Sequence, residues 1–198
     1  MADFEGATVD DIYEAFAHAE TGSFKDPWIR TTDSDVRGGS NAYGPVQMLS
    51  SFVSQSAEQK TLEGKPLIDF NEKELEFIKR YEKQGQEFYR HGHMKDNLPN
   101  YNPKFDYGGS GNMSKTDKKL YENVAKKIIG YELKRTGGIY NLKRSWRGEE
   151  DSDYFKKFDK KLGQILNKND RASLLPDETL MENMLVWRKP QHRKLEIT

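Results

Sequence analysis

Three times this chain writes a small polar residue, an acidic residue three places later, and an apolar run at helical spacing. Thr8 and Asp11 frame a run of Val9, Ile12, Tyr13 and Phe16, and Asn71 and Glu74 lead into Leu75, Phe77, Ile78 and Tyr81. Ser114 and Asp117 lead into Leu120, Tyr121, Val124, Ile128 and Ile129. In such a pair the first side chain accepts a backbone N–H from the first helical turn, and the second reaches back to the capping residue. Apolar residues at i, i+3, i+4 and i+7 then share one face. No segment alternates with period two over any length and no internal repeat is visible, so the chain is expected to be mainly α.

Two further helices fill the pattern. Pro45 suits the first turn of one, where its missing N–H costs nothing, with Val46, Leu49, Phe52 and Val53 as its stripe. Tyr154, Phe155, Phe158, Leu162, Ile165 and Leu166 mark a strong last one. The run Thr136-Gly137-Gly138 stops the helix before it, and a short segment follows with Ile139, Tyr140 and Leu142. Two stretches lack any helical period: Gly22–Gly44, with Pro27, Gly38, Gly39, Ser40 and Asn41, and His91–Met113, which is rich in Gly, Pro, Asn and aromatic residues. Loops of that length inside a compact domain are commonly functional, and these two are expected to line a cleft. Residues 1–166 are thus read as one domain, with 167–198 as an extension packed on it that includes a short apolar segment from Leu180 to Trp187.

The 32 Lys and Arg balance the 32 Asp and Glu, so the overall field gives no reason to expect a nucleic-acid partner. Basic runs such as KRSWR and WRKPQHRK read as solvated faces. The chain has no cysteine, which excludes thiol chemistry, disulfides and Cys-based zinc sites. No apolar run approaches the roughly 20 residues of a membrane span, and no signal peptide is expected. His91, His93, His18 and Asp96 do not make a metal motif, and neither glycine-rich stretch ends in the Gly-Lys-Ser/Thr of a phosphate loop. No metal and no cofactor is expected.

Glu20 closes the first helix. There it faces the negative end of the helix dipole, which disfavours the charged carboxylate, and Phe24 or Trp28 could desolvate it further. A carboxyl kept protonated near neutrality is what a general acid requires. Beyond the first loop, SNAYGPVQM combines small residues that permit close backbone approach, an aromatic able to lie along a sugar ring, and Gln47, whose amide both donates and accepts.

The pair ETGSF and SNAYGPVQM resembles the lysozyme-like superfamily, above all its lytic-transglycosylase and phage-endolysin branches. Those proteins place a Glu-Ser or Glu-Thr pair at a helix end and Ser-x-x-Gly-Ala-x-Gly-Leu-Met-Gln at the next helix start. On this resemblance Glu20 takes the catalytic position, Ser40 the serine, Tyr43 the aromatic, Gly44 the glycine and Gln47 the glutamine. The later RSWRGEEDSDYFKKF is similar to the Trp-x-Gly, acidic spacer and Tyr-bearing helix that closes many phage enzymes of this kind. The chain departs from the pattern in three places. Pro-Val stands where Leu-Met is usual, the Glu20–Ser40 spacing is long, and the downstream Tyr-Asn-x-Gly is missing in that form. Tyr101-Asn102 and Tyr107-Gly108 are its candidates, Tyr107 being favoured because a helix follows.

The resemblance implies cleavage of the MurNAc–GlcNAc β-1,4 linkage of peptidoglycan, with Ser40, Tyr43, Gln47 and Tyr107 binding the glycan strand. A second carboxylate would hold water at about 6.5–9.5 Å from the acid in an inverting hydrolase, or attack from about 5–5.5 Å in a retaining one. Asp33 and Asp35 are the better candidates and Asp26 the third. Without one, the sugar's 6-hydroxyl closes the ring, which is the lytic-transglycosylase outcome. The expected protein is a monomeric phage endolysin or virion-associated lysin, made in the host cytoplasm and reaching the wall by holin release or with the particle. The alternative is a lysozyme-like module that binds glycan without turning it over. Trp146 and Trp187 could stack on sugar or pack in the core.

Overall fold

The computed structural model describes residues 6–22, 25–28, 42–91, 107, 110–147 and 152–168. Among them are six helices: α1 (Val9–Thr21), α2 (Ser50–Glu58), α3 (Glu72–His91), α4 (Lys115–Thr136), α5 (Ile139–Arg147) and α6 (Ser152–Lys168). The architecture is mainly α. Asp33, Asp35, Ser40, Phe24, Asp96, Tyr101, Asn102 and everything from residue 169 on, including Trp187, lie outside the described residues, as do most of the two expected loops.

All three capping side chains accept their N–H, and in the first two pairs the acidic side chain also reaches back, while the Asp117 carboxylate pairs with Arg80 instead. Thr8 Oγ1 accepts Asp11 N at 3.2 Å while Asp11 Oδ2 accepts Thr8 N at 2.7 Å. Asn71 Oδ1 accepts Glu74 N at 3.0 Å and Glu74 Oε2 accepts Asn71 N at 2.8 Å. Ser114 Oγ accepts Asp117 N at 3.1 Å. A cap of this kind is worth about 1 kcal/mol. Glu74 does more than cap, because its buried carboxylate also takes Lys127 Nζ at 2.6 Å and so joins the start of α3 to the middle of α4. Gly137, at φ +75, ends α4 in the left-handed conformation that a side chain would resist.

The core gathers where α1 crosses α6 and α4, and where α2 lies on α3. Phe16 is fully buried at its centre, with its ring 4.7 Å from Phe158 and stacked at 4.9 Å on Trp146. Trp146 also meets Phe52 edge-on at 5.9 Å, so this half-buried indole seals the seam between α1, α2 and α5. Packing is what it does in this fold. The short segment after Gly138 is itself a nine-residue helix, α5. It is pinned by an unusual residue: Lys143, 1% exposed, bonds Asp159 of α6 at 2.6 Å, with the rings of Phe155 and Phe158 beside its ammonium at 4.6 and 5.4 Å. Burial raises the Asp159 carboxyl above the ordinary carboxylate range, and Lys143 opposes that rise.

Candidate active site

The second helix does not begin at Pro45. Residues 43–48 form a tight loop in which Tyr43 and Met48 pair as an isolated antiparallel bridge, and α2 starts at Ser50. Within the loop Gln47 N donates to Gly44 O at 3.0 Å, which makes Gly44–Gln47 a β-turn with Pro45 at its second position. Proline's fixed φ suits that position as well as it suits a helix start, and the sequence alone does not choose between them. Leu49, expected on the buried stripe, is instead the 44% exposed residue that precedes α2.

Two tyrosines bolt this turn to the helices behind it. Tyr81 of α3 donates its hydroxyl to Met48 O at 2.6 Å, and Tyr121 of α4 donates to Tyr43 O at 2.7 Å. Both phenols are buried, and burial followed by the neighbouring Tyr81 ring holds the Tyr121 hydroxyl well above the ordinary tyrosine range, so it remains a donor. Gly44 is required where it stands. Its φ is +81, and a Cβ there would lie 2.8 Å from Cζ of Tyr121.

Tyr43 is not a platform for a sugar. Its ring is wholly buried, 4.7 Å from Tyr107 and 6.5 Å from Trp28, and its hydroxyl bridges Gly111 O and Met113 N at 3.4 and 3.3 Å. The aromatic that the sequence offers to a ligand is thus used to join the turn to the residues that precede α4. Trp28 belongs to the same cluster, edge-on to Tyr121 at 5.3 Å with Lys118 Nζ 5.0 Å above its ring. Asp26, one of the carboxylates considered for a second catalytic role, accepts Trp28 N at 2.9 Å and forms a local Asx turn.

Glu20 is half-buried in the last turn of α1, next to Thr21. Thr21, 3% exposed, sends its hydroxyl to Pro45 O at 3.0 Å, so the end of α1 abuts the turn that carries Gln47. Gln47 is half-buried, with φ +47 and its side-chain Nε2 donating to Gly44 O at 2.7 Å. Tyr107, φ +45, lines a pocket of about 470 Å³ with Phe77, Arg80, Tyr81 and Gln84 of α3 and Asp117 of α4. Arg80 and Asp117, both in its lining, form an ion pair at 2.8 Å.

Of the residues singled out in the sequence, Gln47, Tyr43 and Tyr107 are brought into one neighbourhood around the turn, and Glu20 is joined to it through Thr21. The positioning roles of Tyr81 and Tyr121 are not visible in the sequence, where both read as ordinary members of a helical stripe. The signal available was that a buried Tyr, unlike Phe, needs an acceptor. Among the described residues no group of three or more His, Asp or Glu could hold a metal ion, and no helix is long and apolar enough to cross a membrane. Compared with models of protein families, with curated proteins and with solved structures, the chain finds no match.

Proposed function

We propose that this chain is a lysozyme-like domain that cleaves the MurNAc–GlcNAc β-1,4 linkage of peptidoglycan, with Glu20 as its general acid. One observation carries the reading. Among the described residues the two non-glycine positions with positive φ are Gln47 and Tyr107, and both belong to the four that the sequence resemblance picks for glycan binding. A side-chain-bearing residue held there costs on the order of 1–3 kcal/mol, and such strain concentrates where geometry serves a ligand. The Thr21–Pro45 contact supports the same reading, because it joins the two motifs that define the resemblance.

In this mechanism Glu20 protonates the glycosidic oxygen as the bond breaks and positive charge develops on the sugar ring. Water activated by Asp33 or Asp35 then completes hydrolysis, or the 6-hydroxyl attacks while Glu20, now a carboxylate, takes its proton. Asp26 is the weaker partner, since its carboxylate is engaged by Trp28 N. Gln47 presents an amide whose direction is fixed by its bond to Gly44 O. Tyr43 serves from beneath, by holding Tyr107 and the turn. The biological setting we infer is a phage lysin acting on glycan strands as a monomer, released by a holin or carried by the virion.

The test is turbidity clearing of purified sacculi by wild type and Glu20→Gln, with the released muropeptides identified by mass spectrometry. Clearing that is lost in the variant while sacculus binding persists supports the glycosidase. Anhydro ends identify a transglycosylase and reducing ends a muramidase. A folded wild type that binds sacculi without clearing them points to the non-catalytic glycan-binding module, and equal clearing by both proteins removes Glu20 from the mechanism.

A further inference from the structure

The side chain next to the proposed acid makes an unusual contact. Thr21 Oγ1 has one hydrogen and two carbonyl acceptors, Ala17 O and Pro45 O, each at 3.0 Å. The first is the bond to the preceding helical turn that any Thr in a helix can form. The second spans 24 positions of the chain and ends inside the Gly44–Gln47 turn. Tyr81 and Tyr121 hold that turn against α3 and α4, and Thr21 adds a bond from α1, the helix that carries Glu20.

We propose that Thr21 is a positioning residue: its hydroxyl sets the register of Glu20 against Gln47, so its loss slows bond cleavage without weakening glycan binding. The inference rests on the reading of Glu20 as the acid. Thr suits the task better than Ser because its branched Cβ restricts χ1, which keeps the oxygen aimed between the two carbonyls. Val has nearly the same shape and no hydroxyl. Geometry at a reacting centre is unforgiving, and a displacement of about 1 Å can cost 100-fold in rate.

The experiment compares wild type, Thr21→Val and Thr21→Ser in the full chain, with Thr21→Ala as a second hydroxyl-free variant should Val fail to fold. Three readouts are taken: maximal clearing rate against sacculus concentration, thermal midpoint, and hydrogen exchange at the amide of Gln47. In Thr21→Val the maximal rate is expected to fall about 10- to 100-fold. The half-saturating sacculus concentration should stay unchanged, and the Gln47 amide should exchange about 10-fold faster as its turn loosens. Thr21→Ser should restore most of both. Wild-type rate and exchange in Thr21→Val would overturn the proposal, and so would rates that follow the thermal midpoint across the variants rather than the hydroxyl. A wild type that clears no sacculi would remove the glycosidase and with it the catalytic role of Thr21. Exchange at Gln47 would still decide separately whether the hydroxyl tethers the turn.

Discussion

Replacing Gly44 by alanine should damage the turn for two separable reasons, and the chain contains its own control. At φ +81 a residue with a Cβ costs about 1–2 kcal/mol. The added carbon would also stand 2.8 Å from Cζ and 3.0 Å from the hydroxyl of Tyr121, a fully buried ring fixed by its bond to Tyr43 O. Forcing a methyl into such a place costs a further 1–3 kcal/mol, roughly, by pushing side chains or backbone aside. Gly64 has the same conformational demand, φ +79, with nothing within 4 Å of its would-be Cβ. Gly64→Ala should therefore cost only the first contribution. The difference between the two variants, about 1–3 kcal/mol, isolates the wall that Tyr121 presents. For a chain of this size each kcal/mol moves the thermal midpoint by about 2–4 °C, so calorimetry or far-ultraviolet melting resolves it. Equal destabilisation by the two substitutions would refute the argument, because Tyr121 would then have to yield at no cost. Should Gly44→Ala stay folded, its sacculus clearing should fall more than its stability predicts, since Gln47 is carried by the displaced turn.

Tyr121→Phe removes the donor to Tyr43 O and Tyr81→Phe the donor to Met48 O, each for about 1–3 kcal/mol in urea unfolding, and the double variant should depart from additivity because both rings brace one turn. The Lys143–Asp159 pair should behave differently when halved and when replaced: Asp159→Leu alone should cost roughly 3–5 kcal/mol by taking a carboxylate from a buried ammonium, whereas Lys143→Met with Asp159→Leu should fall near wild type. In alkali, burial (with Glu122 second for Tyr13, and Tyr81 for Tyr121) raises both native phenols above their unfolded value, so their contribution is complete below pH 10 and is lost as pH rises from there to the native pKa. Stability should decline by about 1.4 kcal/mol per pH unit for each of the two, and absorbance at the phenolate band should show them ionising only with unfolding.

What could be read from the sequence was what local bonds decide. The starts of α1, α3 and α4 were legible at Thr8, Asn71 and Ser114 because a cap is closed by a side-chain oxygen and a backbone N–H three residues apart. The start of α2 was not, because Pro45 satisfies a β-turn as well as a helix, and the deciding contacts come from Tyr81 and Tyr121 far along the chain. α5 was hidden for a similar reason. Its buried face includes Lys143, which reads as solvated until Asp159 and two aromatic rings are brought beside it. In the candidate site, residue types pointed to Gln47 and Tyr107, but their left-handed backbones are a tertiary property. Tyr43 shows the opposite error: an aromatic in a Gly-rich loop suggested a sugar platform, and the fold spends it wholly inside.

The pairing of α1 with α6 fixes when the proposed acid comes into being. Alone, a helix of 13 residues is marginal in water, so α1 depends on a surface to lie against. That surface includes Phe158 and Trp146, which meet Phe16 one turn before Glu20, and both are made near the far end of the described chain. A ribosome must release α6 before Glu20 is held in place. Growing chains and fragments cut before α6 would carry the glutamate without its scaffold, so the proposed site assembles only after α6 has been made.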